Sequence, residues 1–379
     1  MKIRQLRAYF FIMSILCYCK LYAQQTCVFV GSYNWSKDSV GIYIYELDTT
    51  RGTLKKITDY TGISNPSYLT ISASGKYIYA CTESKTPNAG SVSSFAFDYK
   101  KKSVHFINSQ PSNGENPVYV NVNQNEKYLI AANYTESSVS VYPILPDGHI
   151  DSIAQHFQFT EGSINPIRQD RSHIHAAVCS PDNKFIFLTD LGADKIRCFA
   201  YNSFPQLLTP ASPKEVRTYP GSGPRHMTFH PNGKVAYCIE ELSGSIEVYA
   251  YANGQLSYLQ RMMSHPEELK EGFESSDIHI SPDGNYLYVS NRGKENNIAI
   301  FSILMDGKLE SKGYQSTMGK HPRIFAMDES GKFLIVANVN TNNLVVFRRD
   351  LHTGLLQMTS EITGLKHPSC VKMHTYHSK

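Results

Sequence analysis

From residue 27 onward the chain alternates short apolar runs, rich in Val, Ile, Tyr and Phe, with polar turns. Nowhere does an apolar face recur at helical spacing over several turns, so the runs read as strands. They repeat as a unit. The clearest copy is Ser281-Pro282-Asp283-Gly284-Asn285-Tyr286-Leu287-Tyr288-Val289-Ser290-Asn291. Others are His230-Pro231-Asn232-Gly233-Lys234, Ser180-Pro181-Asp182-Asn183-Lys184, Ser72-Ala73-Ser74-Gly75-Lys76 and Glu329-Ser330-Gly331-Lys332, with a weaker one at Asn125-Glu126-Lys127. The turn slot falls at Gly75, Glu126, Asn183, Gly233, Gly284 and Gly331, a spacing of 47–57 residues.

Each copy has the same parts. A short apolar strand leads in (Ser67 to Ile71, Arg323 to Met327), a turn needing positive φ reverses the chain, and a second strand follows (Tyr77 to Ala80, Phe333 to Asn338). A third strand comes after a polar loop (Ser245 to Tyr249, Asn343 to Phe347), and a more variable fourth after another Gly turn. Four antiparallel strands in about 50 residues make a propeller blade. The ends complete the count. Pro368 to Met373 is a lead-in strand with nothing after it, and Cys27 to Tyr33 is a second strand with nothing before it. Paired, they form a seventh blade and close the ring without a free sheet edge. The expected fold is all-β: one seven-bladed β-propeller over residues 24–379, four antiparallel strands per blade, its C-terminal strand paired with the N-terminal ones.

The first 23 residues stand apart. Lys2, Arg4 and Arg7 precede an apolar run from Ala8 to Cys19, and Leu21-Tyr22-Ala23 leads into Gln24-Gln25. A basic start, an apolar stretch too short to span a bilayer and a small residue before a polar one read as a signal peptide cleaved after Ala23, hence a periplasmic or secreted protein with no membrane attachment once cleaved. Removing this segment takes four of the 37 Lys and Arg and no acid, leaving 33 basic against 33 acidic residues. A neutral chain gives no electrostatic case for nucleic acid as a partner. Six cysteines remain, without CxxC pairing, mostly inside apolar strands, where a thiol acts as a small hydrophobe. Ring closure would put Cys27 and Cys370 on neighbouring strands, the one pairing geometrically open to a disulfide.

In an antiparallel meander the start of the first strand and the end of the second share one edge of the blade, so these positions from every blade gather at one mouth of the channel. Eight residues before the turn slot stand Ser67, Val118, His175, Arg225, Ser276 and Arg323, with Ser369 in the terminal copy. Seven and eight after it stand Thr82-Glu83, Asn133-Tyr134, Asp190-Leu191, Glu240-Glu241, Asn291-Arg292 and Asn338-Val339. Three successive copies concentrate charge there: His173, His175, Asp190, Arg225, His226, Glu240, Glu241 and Arg292, with Arg323 from the next. Blander roles compete. His173 and His175 share a strand face and could be half of a metal site, but no third ligand is evident. Asp190 and Asp194 flank a glycine and suit a turn. His226 suits a hydrogen bond within its blade. Strand alternation turns one of Glu240 and Glu241 to the mouth and the other away.

The segments Ser172-His173-Ile174-His175, Thr189-Asp190-Leu191-Gly192-Ala193-Asp194, Gly223-Pro224-Arg225-His226, Glu240-Glu241-Leu242 and Ser290-Asn291-Arg292-Gly293 resemble, in order, the signature segments of the propeller-type lactonases, a family that includes bacterial 6-phosphogluconolactonase and fungal carboxymuconate cyclase. The resemblance spans essentially the whole chain after residue 23. It implies active-site roles for one histidine of the pair His173 and His175, for Arg225, for Glu241 in preference to Glu240, and for Arg292. His175 stands with the last three as the catalytic candidate, and His173, Asp190, His226 and Arg323 as substrate-binding candidates. Lactone opening needs an activated water and a holder for the carbonyl oxygen as it turns negative. His175 or Glu241 can serve as base and the arginines as anion holders. No nucleotide-binding loop and no flavin or nicotinamide signature is present, so no cofactor or metal is expected. The expected protein is an exported monomeric lactonase acting on a small sugar lactone, and the competing reading is a non-catalytic propeller that binds a ligand or protein. Export argues against a phosphorylated sugar lactone, an intermediate of the cytoplasm.

Overall fold

The computed structural model describes residues 24–84, 86, 89–202 and 207–377; the proposed signal peptide, 1–23, lies outside them. The described residues form seven four-stranded antiparallel sheets, each a meander in which neighbours in sequence are neighbours in the sheet. In the third blade, for example, the inner strand Ile174–Cys179 is followed outward by Phe185–Asp190, Lys195–Tyr201 and Leu208–Arg217. The seventh sheet takes its innermost strand, Pro368–His377, from the C-terminus and continues with Gln24–Ser32, Ile42–Asp48 and Thr53–Tyr60. The ring is thus closed as the sequence predicts.

The hairpin turns carry left-handed backbone in every copy: Gly233 at φ 69° and Gly284 at φ 75°, and also Glu126 and Asn183, each at φ 56°. A non-glycine residue there is disfavoured, and Glu126 has a local reason to stay, since its carboxylate accepts the Ser74 N–H of the preceding blade at 2.8 Å. The core lies between the blades. Second strands such as Phe333–Asn338 and Val235–Glu240 are buried along their whole length, because each is covered by a blade on both faces. Their tyrosines do more than pack. Tyr237 Oη donates to the Gly307 carbonyl at 2.8 Å and Tyr288 Oη to Gly354 at 2.7 Å, tying each blade to the outer hairpin of the next.

At the seam the register sets Cys27 opposite His374 and Cys370 opposite Gly31. The two cysteines are on adjacent strands but four residues out of step, about 13 Å at roughly 3.3 Å per residue, whereas a disulfide needs Cα atoms within about 7 Å. The pairing left open by the sequence is therefore excluded by register. All six cysteines of the described residues are free, and burial pushes the Cys27 thiol up to about 12.

Candidate active site

The mouth positions owe their geometry to two devices repeated around the ring. The first is a β-bulge. Pairing of inner with second strand skips a residue at Val118, His175, Arg225, Arg323 and Ser369, and widens at Ser276–Asp277. These are the residues eight before the turn slot. A bulge leaves one residue unpaired and re-aims its side chain, which turns ordinary sheet positions toward the channel. The second is a backbone hydrogen bond. The N–H of the residue eight after the slot (Glu83, Tyr134, Leu191, Glu241, Arg292, Val339, and Tyr33 in the seventh blade) donates to the carbonyl two residues before the inner-strand mouth position (Ser67 and its counterparts), at 2.8–3.1 Å in all seven blades. It pins that residue against the inner strand.

Strand alternation then sorts the side chains. The residue seven after the slot serves the scaffold: Asn133, Asn291 and Asn338 each donate through Nδ2 to a carbonyl of the loop arriving from the blade before, at 3.2, 2.6 and 3.0 Å. The residue eight after faces the channel. Glu83, Tyr134, Glu241 and Arg292, together with His175 and Arg323 from the bulges, line a cavity of about 450 Å³ that Asn116, Glu115 and Arg168 also border.

Its centre is the Glu241 carboxylate. Oε2 lies 2.9 Å from Arg225 Nε and 3.1 Å from Arg292 Nη2, and Oε1 lies 2.6 Å from Arg168 Nη2. Burial alone would raise this carboxyl, but Arg292, Arg225 and Arg168 outweigh it and hold it well below the usual carboxylate range. Arg225 sits beneath the cavity with no exposure. Burial and then its neighbours Arg292 and Arg323 push it down to about 9, so it is still a cation at neutral pH. Burial, followed by Arg225, His226, Arg323 and Arg292, holds His175 well below its ordinary value, and the ring is neutral. Among the described residues His175 Nδ1 and Arg225 Nη2 are buried with no hydrogen-bond partner, which is costly unless something else binds there. On the far wall Tyr33 Oη donates to Glu83 Oε2 at 2.8 Å, and Arg323 Nη2 approaches the same oxygen at 3.9 Å.

The structure brings His175, Glu241, Arg292 and Arg323 to one cavity, with Arg225 directly behind Glu241. The other expected binding residues stand elsewhere. Asp190 is fully buried: its carboxylate accepts from Ser172, from the His173 N–H at 2.9 Å and from Arg197 at 2.7 and 2.9 Å, so it braces the loop beside the mouth instead of meeting a ligand. Asp194 likewise accepts the N–H groups of Gly221 and Gly223, at 2.6 and 2.8 Å. His173 stacks on Tyr134, ring centroids 4.5 Å apart, with Nδ1 2.9 Å from the Tyr134 carbonyl. His226 is walled in by His175, Tyr119 and Tyr68 at 5.1, 5.5 and 6.1 Å and lines a separate cavity at the other mouth. No three His, Cys, Asp or Glu among the described residues are placed to hold a metal ion.

Several cavity residues are not singled out by the sequence, among them Glu83, Tyr134 and Arg168. Glu83 and Tyr134 occupy mouth slots but lack an obvious chemical partner in the sequence. Arg168 comes from the segment between the strands Gln155–Gln158 and Ile174–Cys179, which has no counterpart in other copies. Gly192 lets that segment close in, since a Cβ there would lie 1.9 Å from the Arg171 carbonyl oxygen. Ser275 Oγ, His265 and Glu295 are spaced like a hydrolytic triad, at 2.8 and 2.7 Å. Ser275 is fully buried, however, and its hydroxyl donates to Asn291 at 2.9 Å, which makes it scaffold.

Fold and cavity together define a β-propeller enzyme, a ring scaffold that presents a charged constellation at one mouth of its channel. Residues 27–373 match the family described as lactonase, 7-bladed β-propeller. The chain is 39% identical over 352 residues to the 6-phosphogluconolactonase of Formosa agariphila, covering 92% of this chain and 99% of that protein. It is 32% identical over 347 residues to the 6-phosphogluconolactonase of Bacillus subtilis, covering 91% and 97%. The solved periplasmic gluconolactonase of Pseudomonas aeruginosa superposes with a TM-score of 0.87 at 32% identity, covering 92% and 99%. This chain belongs to the seven-bladed β-propeller lactonase family and is a carboxylic-ester hydrolase.

Proposed function

We propose that this protein is an exported lactonase that opens the ring of a sugar-acid lactone, with His175 as the base and Arg292 and Arg225 as the oxyanion holders. The observation that carries this reading is His175 itself: a neutral imidazole with an unpartnered Nδ1, on the wall of the same cavity as Glu241, Arg292 and Arg323. The Glu241 oxygens are already engaged by three guanidiniums, so we assign Glu241 to ordering the arginines and the proton to His175. Water adds to the lactone carbonyl carbon as His175 takes its proton. The carbonyl oxygen becomes negative and is met by Arg292 on the cavity wall, with the charge of the buried Arg225 beneath it. Collapse of the tetrahedral intermediate breaks the ring C–O bond, and the leaving oxygen recovers the proton from His175, giving the open hydroxy acid. Arg168 and Arg323 remain to bind polar or anionic substituents of the sugar.

Cleavage after Ala23 would leave the strand that begins at Gln24 intact, and the similar Pseudomonas protein is periplasmic. Both support export, and export favours an unphosphorylated substrate. The test is proton release at constant pH after adding δ-gluconolactone or its 6-phosphate to the mature protein, read against Arg225→Ala because lactones also hydrolyse unaided. Faster turnover of the unphosphorylated sugar is expected. Equal rates for parent and Arg225→Ala on both substrates would refute the site.

A further inference from the structure

Arg225 is held from behind as well as in front. While Nε serves Glu241, Nη1 donates to the Ser276 carbonyl at 2.6 Å and lies 3.3 Å from His226 Nε2. His226 Nδ1 is 2.8 Å from Asp277 Oδ1. The other Asp277 oxygen accepts the Phe325 N–H at 3.1 Å and lies 2.9 Å from His279 Nε2, at the opposite mouth of the channel. Asp277 and His226 are 3% and 4% exposed.

The chain of contacts has a direction. A guanidinium only donates, so the ring nitrogen facing it must carry the lone pair. The proton of His226 then belongs on Nδ1, where an ionised carboxylate accepts it. Burial pushes His226 down to about 3, which keeps the ring neutral and the lone pair available. With Nη1 and Nε both engaged, the plane of the guanidinium is set and Nη2 is the end left over.

We propose that Asp277 is a positioning residue for lactone opening: by fixing the His226 tautomer that accepts from Arg225, it fixes the guanidinium that holds Glu241 from beneath the cavity and places its charge under the developing oxyanion. This rests on the reading of Arg225 as an oxyanion holder. In Asp277→Asn the amide can present a donor where the carboxylate accepted. The His226 proton is then free to move to Nε2, where it opposes the Arg225 N–H and turns the guanidinium.

The test is a set of four variants of the mature protein, assayed by proton release on whichever of δ-gluconolactone and its 6-phosphate the parent turns over. Asp277→Asn is expected to lower kcat about 100-fold, the scale of a misplaced catalytic group, with KM within about threefold of the parent. His226→Gln can still donate to Asp277 and accept from Arg225, so it should keep kcat within about tenfold of the parent, while His226→Leu falls as far as Asp277→Asn. Equal slowing by Gln and Leu would reduce His226 to packing and overturn the proposal, as would a parent-like kcat in Asp277→Asn. Should Asp277→Asn fail to fold, the Gln and Leu pair decides. Arg225→Ala separates the two levels: full activity there refutes the underlying site, whereas an inactive Arg225→Ala beside an active Asp277→Asn refutes the relay alone.

Discussion

Replacing Glu241 by Gln keeps its size and removes the charge that three guanidiniums share. Removing one partner of a buried ion pair costs about 3–5 kcal/mol, because the other charge stays buried and unpaired. Arg225 and Arg292, with side chains 0% and 8% exposed, would be stranded in this way, whereas Arg168, 42% exposed, can turn to water. The three contacts share one carboxylate and do not add, so the whole loss is taken as about 3–5 kcal/mol. At roughly 2.1 cal/mol/K per residue, a domain of about 350 residues unfolds with an entropy near 0.7 kcal/mol/K, which converts that loss to a Tm lower by about 4–7 °C. Thermal unfolding at neutral pH measures it. The pH dependence follows from the depressed pKa of Glu241. Its stabilisation is complete above the unfolded carboxylate value of about 4.3 and is lost as pH falls toward the folded value. The gap between parent and variant should therefore be flat above pH ~6 and shrink below pH ~4. Adding Arg292→Met to Glu241→Gln should recover part of the loss by removing one stranded charge. A Tm within about 1 °C of the parent at neutral pH would refute the reasoning, since it would mean the cluster holds no buried pair.

His175→Ala should lower kcat by about 10²–10⁴, the usual weight of a general base, with little change in Tm; proton release measures the first and thermal unfolding the second. Gly192→Ala should cost about 1–3 kcal/mol in a urea titration through overpacking and lower kcat/KM as well, because its new methyl would displace the backbone at Arg171 and with it the Arg168 segment. The thiols of Cys27, Cys81, Cys198, Cys238 and Cys370, all buried, should react with a thiol reagent only after denaturation, whereas the half-buried Cys179 is open to reagent in the folded protein. Reducing agent should leave Tm unchanged; a Tm that drops on reduction would reveal a bond the register forbids.

The blades were legible because their punctuation is local: a positive-φ turn such as Gly284, flanked by runs of period-two apolar residues, declares a hairpin by itself. The mouth was legible for the same reason, since counting eight residues back and eight forward from the turn finds His175, Arg225, Arg323, Glu241 and Arg292. Facing was harder. Asp190 and Glu241 differ by one place in the count, and strand alternation sends the first into the scaffold and the second into the cavity. The bulges could not be read at all, because a bulge is a relation between two strands and only pairing reveals it. Register has the same character: the adjacency of the strands bearing Cys27 and Cys370 followed from ring closure, but their four-residue offset did not. Arg168 was hidden because it lies in a segment that breaks the repeat, where counting has no purchase.

The seventh blade joins residues that are about as far apart in the chain as any two can be: Gln24 pairs with His377. During synthesis at about 5–20 residues per second, the N-terminal strand waits roughly 20–70 s for its inner partner. Until then the apolar faces of the first and sixth blades have no cover on the seam side, and contacts this distant form slowly even after the chain is complete. The last strand made is therefore the step that commits the whole ring. A ring closed by the ten-residue strand Pro368–His377 keeps an open seam for as long as that strand is missing.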